Sequence, residues 1–188
     1  MADRITNIEE QLVVTIQTID KSTQPTGYTF YTKTGTVQLY DEVLSLSTNK
    51  HTSTSASPTN YKSVNHVIEQ QESTGIEGQE WTTGQWAYTN RVVYVIESKV
   101  HNVGSESTSK ESPKNAIRKR MNECLNDLLF AFGKNYTLNG KVAWIKFLGA
   151  FRDYEDVTNN RIQSGKLISQ WEVVFTQSFN NPDLPACI

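Results

Sequence analysis

The run Tyr88 to Val100 (YTNRVVYVIESKV) constrains this chain more than any other segment. Its β-branched and aromatic residues favour a strand, and Val92 to Ile96 is apolar at odd and even positions alike. A strand apolar on both faces is a central one, covered on each side by helices or by a neighbouring subunit. The chain must therefore build a sheet around this run and supply layers to cover it.

Two segments read as the covering helices. Ile5, Ile8, Leu12, Ile16 and Ile19 recur at steps of three and four, with Glu10, Gln11 and Gln17 on the opposite side, which predicts an amphipathic opening helix. Thr6 and Glu9 have capping-box spacing, and Pro25 with Gly27 marks the end. Further on, Ser112 can cap a helix that has Pro113 in its first position. Ile117, Met121, Cys124, Leu125, Leu128, Leu129 and Phe132 then keep helical spacing up to Gly133, which reads as the stop.

The remaining signals are strands and polar loops. Tyr28, Phe30 and Thr32, then Val37 and Leu39 beyond Gly35, suit an early hairpin. Val64, His66 and Ile68 make a short weak strand, followed by an irregular stretch broken by Gly75, Gly78 and Gly84. Val142 to Phe151 reads as a strand, Thr158 to Arg161 as a tip, and Leu167, Trp171, Val173, Phe175 and Phe179 as the core face of a last strand. These two strands predict a long C-terminal hairpin whose arms reach past the core. The fold class is α+β: a mostly antiparallel or mixed sheet with both amphipathic helices on one face.

Composition sets the frame around these elements. At 188 residues the chain has the length of one domain, 1–188. Ser and Thr supply about a fifth of it and dominate Ser45 to Asn60, predicting a flexible insertion at about 45–60; a short tail occupies 180–188. With 18 basic and 20 acidic residues, the net charge of −2 gives no global pull towards nucleic acid or anionic membrane. The first ten residues lack a leader pattern, and no window nears 18 consecutive apolar residues, so the chain reads as soluble and made in the cytoplasm. Two cysteines, Cys124 and Cys187, exclude a disulfide framework or a Cys-type zinc site.

Motifs for chemistry are sparse. His51, His66 and His101 are far apart in sequence, with no His-x-x-x-His pair; the first and last read as solvated, His66 as a partly buried, hydrogen-bonded strand residue. There is no G-x-S-x-G, and Cys124 stands among Met121, Leu125 and Leu128 as a core residue. No glycine spacing fits a phosphate cradle. Asp153, Glu155 and Asp156, with Asp41 and Glu42, are too few oxygen ligands for a hard-cation site and suit a solvated arm or interface rim. No cofactor, metal or catalytic residue is expected.

Two features point to contact instead. Lys110, Lys114, Arg118, Lys119 and Arg120 crowd the start of the second helix, the end where the helix dipole disfavours cations, so a partner with anionic groups would explain them; a solvated face helped by Glu111 and Glu123 is the simpler reading. Trp81, Trp86 and Tyr88 could form a sugar-stacking platform, though such residues more often pin a loop to the core.

The succession RITNIEEQLVVTIQTI, YTFYTKTGTVQLYDE, YKSVNHVIEQQEST, WAYTNRVVYVIESKV, NAIRKRMNECLNDLLFAF and KLISQWEVVFTQSFNNP resembles, over nearly the whole chain, the tail-terminator (tail-completion) family of long-tailed bacteriophages. The resemblance lies in the order of elements, and this chain is longer at Ser45 to Asn60 and around Trp81 and Trp86. It implies a virion protein, assembled in the host cytoplasm, that forms a homohexameric ring on the last ring of tail-tube subunits. The ring stops tube polymerisation and presents a docking surface to the head-completion or neck protein, with genomic DNA passing through it and no membrane involved. Trp144 and Phe147, Phe151 and Tyr154 nearer the hairpin tip, and Trp171 opposite them are then core or interface anchors, with the Lys110 to Arg120 run, including Lys114, Arg118, Lys119 and Arg120, as an outward electrostatic patch. Another phage connector, such as a head-closure protein, would share this ring logic. A carbohydrate-binding or enzymatic module is the rival of a different class and requires a concave pocket of converging polar groups.

Overall fold

A computed structural model describes residues 4–19, 26–27, 42–45, 64–82, 85–101, 113–158 and 161–178. The elements are α1 (Arg4–Gln17), β1 (Glu42–Ser45), β2 (Val64–Thr82), β3 (Gln85–His101), α2 (Pro113–Lys134), β4 (Trp144–Thr158) and β5 (Arg161–Ser178). The expected early hairpin, the insertion beyond Ser45, the Ser112 cap and the tail from 180 lie outside the described residues.

The chain is an α+β protein with one five-stranded sheet in the order β1-β2-β3-β5-β4. β1 runs parallel to β2 over Glu42↔Asn65 to Ser45↔Ile68, and every other pairing is antiparallel, so the sheet is mixed. β3 is the central strand, as its doubly apolar run requires. Its neighbours fix the faces. Val92, Tyr94 and Ile96 pair with Val173, Trp171 and Ser169, and all six are buried.

Both helices cover that one face. Ile8, Leu12, Ile16 and Ile19 from α1 and Ile117, Met121, Cys124, Leu128 and Phe132 from α2 join the inward residues of β3 and β5 in a single apolar cluster. At its centre the Trp171 ring meets Phe132 at 4.7 Å and Phe147 at 5.1 Å. The buried indole N–H donates to Ser169 Oγ (3.0 Å), and that hydroxyl donates to the Ile96 carbonyl (3.2 Å). A polar chain can cross the core only because each member finds a partner. Among the described residues no helix lies on the other face, where Val93, Val95, Gln170, Glu172 and Val174 sit by alternation.

Several expectations need correcting. Thr6 and Glu9 lie inside α1, so they are not its cap. The weak strand does not fade at Glu69: β2 continues through Gly75 and Gly78, its register shifting at Gln70/Glu72, Ser73/Ile76 and Glu80/Thr82. Bulges let a glycine-bearing, irregular sequence stay hydrogen-bonded to β3. α2 passes through Gly133 to Lys134, because the last turn still buries Ala131 and Phe132. The left-handed residues come later, at Leu138, Asn139 and Gly140 (φ 47°, 56° and 79°), where the Asn-Gly turn signal falls.

Nor does the C-terminal hairpin reach far past the core. β5 is paired to β3 from Ser164 to Ser178, leaving only Arg161 to Gln163 and their partners beyond His101. β3 is longer than either described helix. The 22-residue α2 is about 33 Å long at 1.5 Å per residue. The 17-residue β3 is about 55 Å long at 3.3 Å per residue. The pairs from Glu77↔Thr89 to Thr82↔Gln85 form the described end of the β2–β3 hairpin. Trp81 and Trp86 therefore stand on strands near a hairpin end and not in an irregular loop.

Candidate functional site

The aromatic candidates are sorted by one bulge. Phe147 and Phe151 are four residues apart and would share a face of an unbroken strand. β4 shifts register between Phe147 and Gly149, so Phe147 pairs with Trp171 on the helix side and Phe151 pairs with Ile168 on the other. Phe147 packs on the core, as does Tyr154, which pairs with Gly165. Phe151 is 55% exposed and Leu148, within the bulge, 46%. Trp144 pairs with Val174 and is half-buried, on the same side as Phe151.

Of the two readings open for Trp171, core or interface anchor, its place is the core: it is 2% exposed, and it stands across from Phe147, not from Phe151 or Tyr154. The helix-free face thus offers Trp144, Phe151, Val93 and Ile168, with Arg91, Glu97, Lys146 and Glu172 at its margins. Val95 and Val174 are already buried there although neither belongs to the core cluster under the helices.

β4 is an outer strand. Its outward N–H at Ile145 is taken by the Tyr136 carbonyl (2.9 Å), which ties the α2–β4 connection to the strand's start. Beyond that point no described strand pairs with its outer side. Leu129 and Tyr136 of the flanking helix and turn are 37% and 57% exposed. An edge unpaired among the described residues is the geometry that accepts a strand from another chain.

The basic run divides. Arg120 donates to Glu123 Oε2 at 2.7 Å and is half-buried, so this cation is answered within its own helix. Lys114, Arg118 and Lys119 are exposed, and the Lys114 ammonium lies 5.1 Å from the Tyr154 ring centroid. Arg152 of β4 joins them: it is exposed, and its Nε and Nη2 both donate to Asn122 Oδ1 of α2, the former at 3.0 Å. Nothing in the sequence spacing brings Arg152 to this helix; the strand pairing does. Lys110 lies outside the described residues.

The other chemical candidates are accounted for by packing or position. Cys124 is buried, and burial together with the nearby Asp127 charge holds its thiol far above the ordinary range, so it is a core residue and not a nucleophile. His66 pairs with Val43 and Ser98, and His101 with Ser164 at the end of β3, while His51 is outside the described residues. Among the described residues no three His, Cys, Asp or Glu side chains gather as metal ligands, and no helix is long and apolar enough to cross a membrane.

Sequence reasoning missed two buried charges on α1. Arg4 is 8% exposed, donates from Nη2 to the Lys141 carbonyl (3.0 Å) and lies 6.0 Å from the Phe175 ring centroid; Glu9 is 6% exposed. Arg4 thereby docks α1 against the connection that carries Lys141. Compared with known proteins, the chain matches no family model and no curated sequence.

Proposed function

We propose that this chain is a structural subunit of a bacteriophage tail, which closes as a homohexameric ring on the end of the tail tube. The ring stops tube growth and presents the docking surface for the head-completion or neck protein. It works by shape, through contacts with its own copies, with the tube protein and with the neck, while the viral DNA passes through its centre. It belongs in the virion after assembly in the host cytoplasm.

The observation that supports this reading is where the described helices lie. Among the described residues both helices pack on one face of the mixed sheet, and the other face carries Phe151, Trp144, Val93 and Ile168 between charged residues. An apolar centre with a polar rim is how a protein interface is built. The open β4 edge adds a directional contact, and heterologous contacts close a ring when their rotation completes a circle. The element order that resembles the tail-terminator family supports a tail as that assembly.

The test is the mass of the purified protein by light scattering, alone and after mixing with assembled tail tubes. Six-subunit rings, in solution or on tube ends, are expected. Monomer under both conditions overturns the proposal.

A further inference from the structure

We propose, resting on the ring reading, that the acidic β2–β3 hairpin end of one copy docks against the basic outer face of α2 in the next. From Val64 to Asn90 the chain carries Glu69, Glu72, Glu77 and Glu80 and not one lysine or arginine. β1 accompanies β2 only as far as Ile68, so all four glutamates lie where no described strand pairs with the outer side of β2. Glu77 and Glu80 pair with Thr89 and Trp86 near the described end of the hairpin, where Trp81 also stands.

The basic partner lies at the opposite side of the sheet. α2 packs on β5, β3 and β4, whereas β2 lies beyond β3. Lys114, Arg118 and Lys119 are exposed there, with Arg152 beside them on β4. Two physical facts argue that these cations answer something outside the subunit. Lys114 sits in the first turn of α2, where the dipole opposes positive charge. Lys114 and Arg118 are four residues apart, a like-charge spacing that weakens a helix.

A subunit acidic on one flank and basic on the other is complementary to its own copy head to tail, and two such flanks also set the direction of the ring. A second copy is favoured over nucleic acid because this chain itself supplies both signs of charge.

The experiment reverses each flank. R118E/K119E and E77K/E80K are made separately and together, and the association constant of each is measured by sedimentation at low and high salt. Each double reversal is expected to weaken association at least tenfold. The fourfold variant should recover it, and so should a one-to-one mixture of the two doubles, in which every contact is complementary again. Wild-type association is expected to weaken as salt rises from 0.1 to 1 M, over which the screening length falls from about 10 to about 3 Å. Milder changes, R118Q/K119Q and E77Q/E80Q, give the same reading should a reversal fail to fold. Rings that persist in both doubles sink this contact and leave the ring standing. A wild type that is monomeric alone and with tubes sinks both. Loss of binding to a short DNA duplex in R118E/K119E, with self-association intact, assigns the basic face to nucleic acid and overturns the proposal.

Discussion

At Gly165 side chains of α2 pack directly on the sheet. A Cβ there would lie 2.8 Å from Ile117 Cγ2, 3.1 Å from the Asp153 carbonyl oxygen and 3.3 Å from Met121 Sδ. Ile117 and Met121 are both buried, so neither can swing clear, and a backbone oxygen moves only with its strand. Overpacking of this kind costs about 1–3 kcal/mol, against a gain of about 0.4–1 kcal/mol from the stiffer unfolded chain. The overpacking wins. Gly165→Ala is expected to lower stability by about 1–2 kcal/mol in urea unfolding. Ile117→Leu removes the offending Cγ2 methyl, so the double variant should lose less than the sum of the two single losses. Strict additivity would show that the close approach is not what Gly165 serves.

At the scale of elements, the connection from α2 to β4 holds the two helices together. Asn135 Nδ2 donates to Thr15 Oγ1 of α1 (3.2 Å), Thr15 Oγ1 donates to the Gln11 carbonyl (2.8 Å), and Asn135 Oδ1 accepts from the Asn139 N–H (2.8 Å). At the other end of α1, Arg4 reaches the carbonyl of Lys141 in the same connection. One side chain thus ties α1 to a turn of three left-handed residues. Asn135→Ala removes both links and should cost about 1–2 kcal/mol, with faster amide exchange in α1. Asn135→Asp keeps the acceptor for Asn139 and gives up the donor to Thr15, so an intermediate loss is expected. Equal losses in the two variants would assign the whole effect to the helix link. The helical stripes at Ile8, Leu12 and Ile16 and at Ile117, Met121 and Leu128 were legible because a single burial period governs each. β2 was not, since Glu72 to Trp81 has no alternation and is held by backbone pairing with β3 across its bulges. Burial of Arg4 was equally unreadable, its acceptor lying 137 residues away.

For the whole molecule the question is which aromatic groups serve the fold and which serve contact, and the bulge at Leu148 decides it. Sequence reasoning found Phe147, Phe151 and Trp171 as a group; the register shift in β4 separates them, and its signal in the sequence is Gly149, a glycine inside a strand pattern. Arg152 shares this cause, since the same shift carries it to the helix side and to Asn122. Phe147 and Trp171 belong to the core, so a charge at either position should unfold the protein. Phe151 is more than half exposed, and a charge there should leave the fold intact. If the helix-free face is the one turned towards the assembly, Phe151→Asp removes an aromatic anchor, a change worth about 2 kcal/mol or more at a hot spot, equivalent to roughly a 30-fold weaker association. Thermal unfolding at concentrations too low for association should then match the wild type, while ring mass and co-sedimentation with tail tubes fall. A normal ring that still caps tubes would remove Phe151 from the interface and leave the open β4 edge to carry the contact alone.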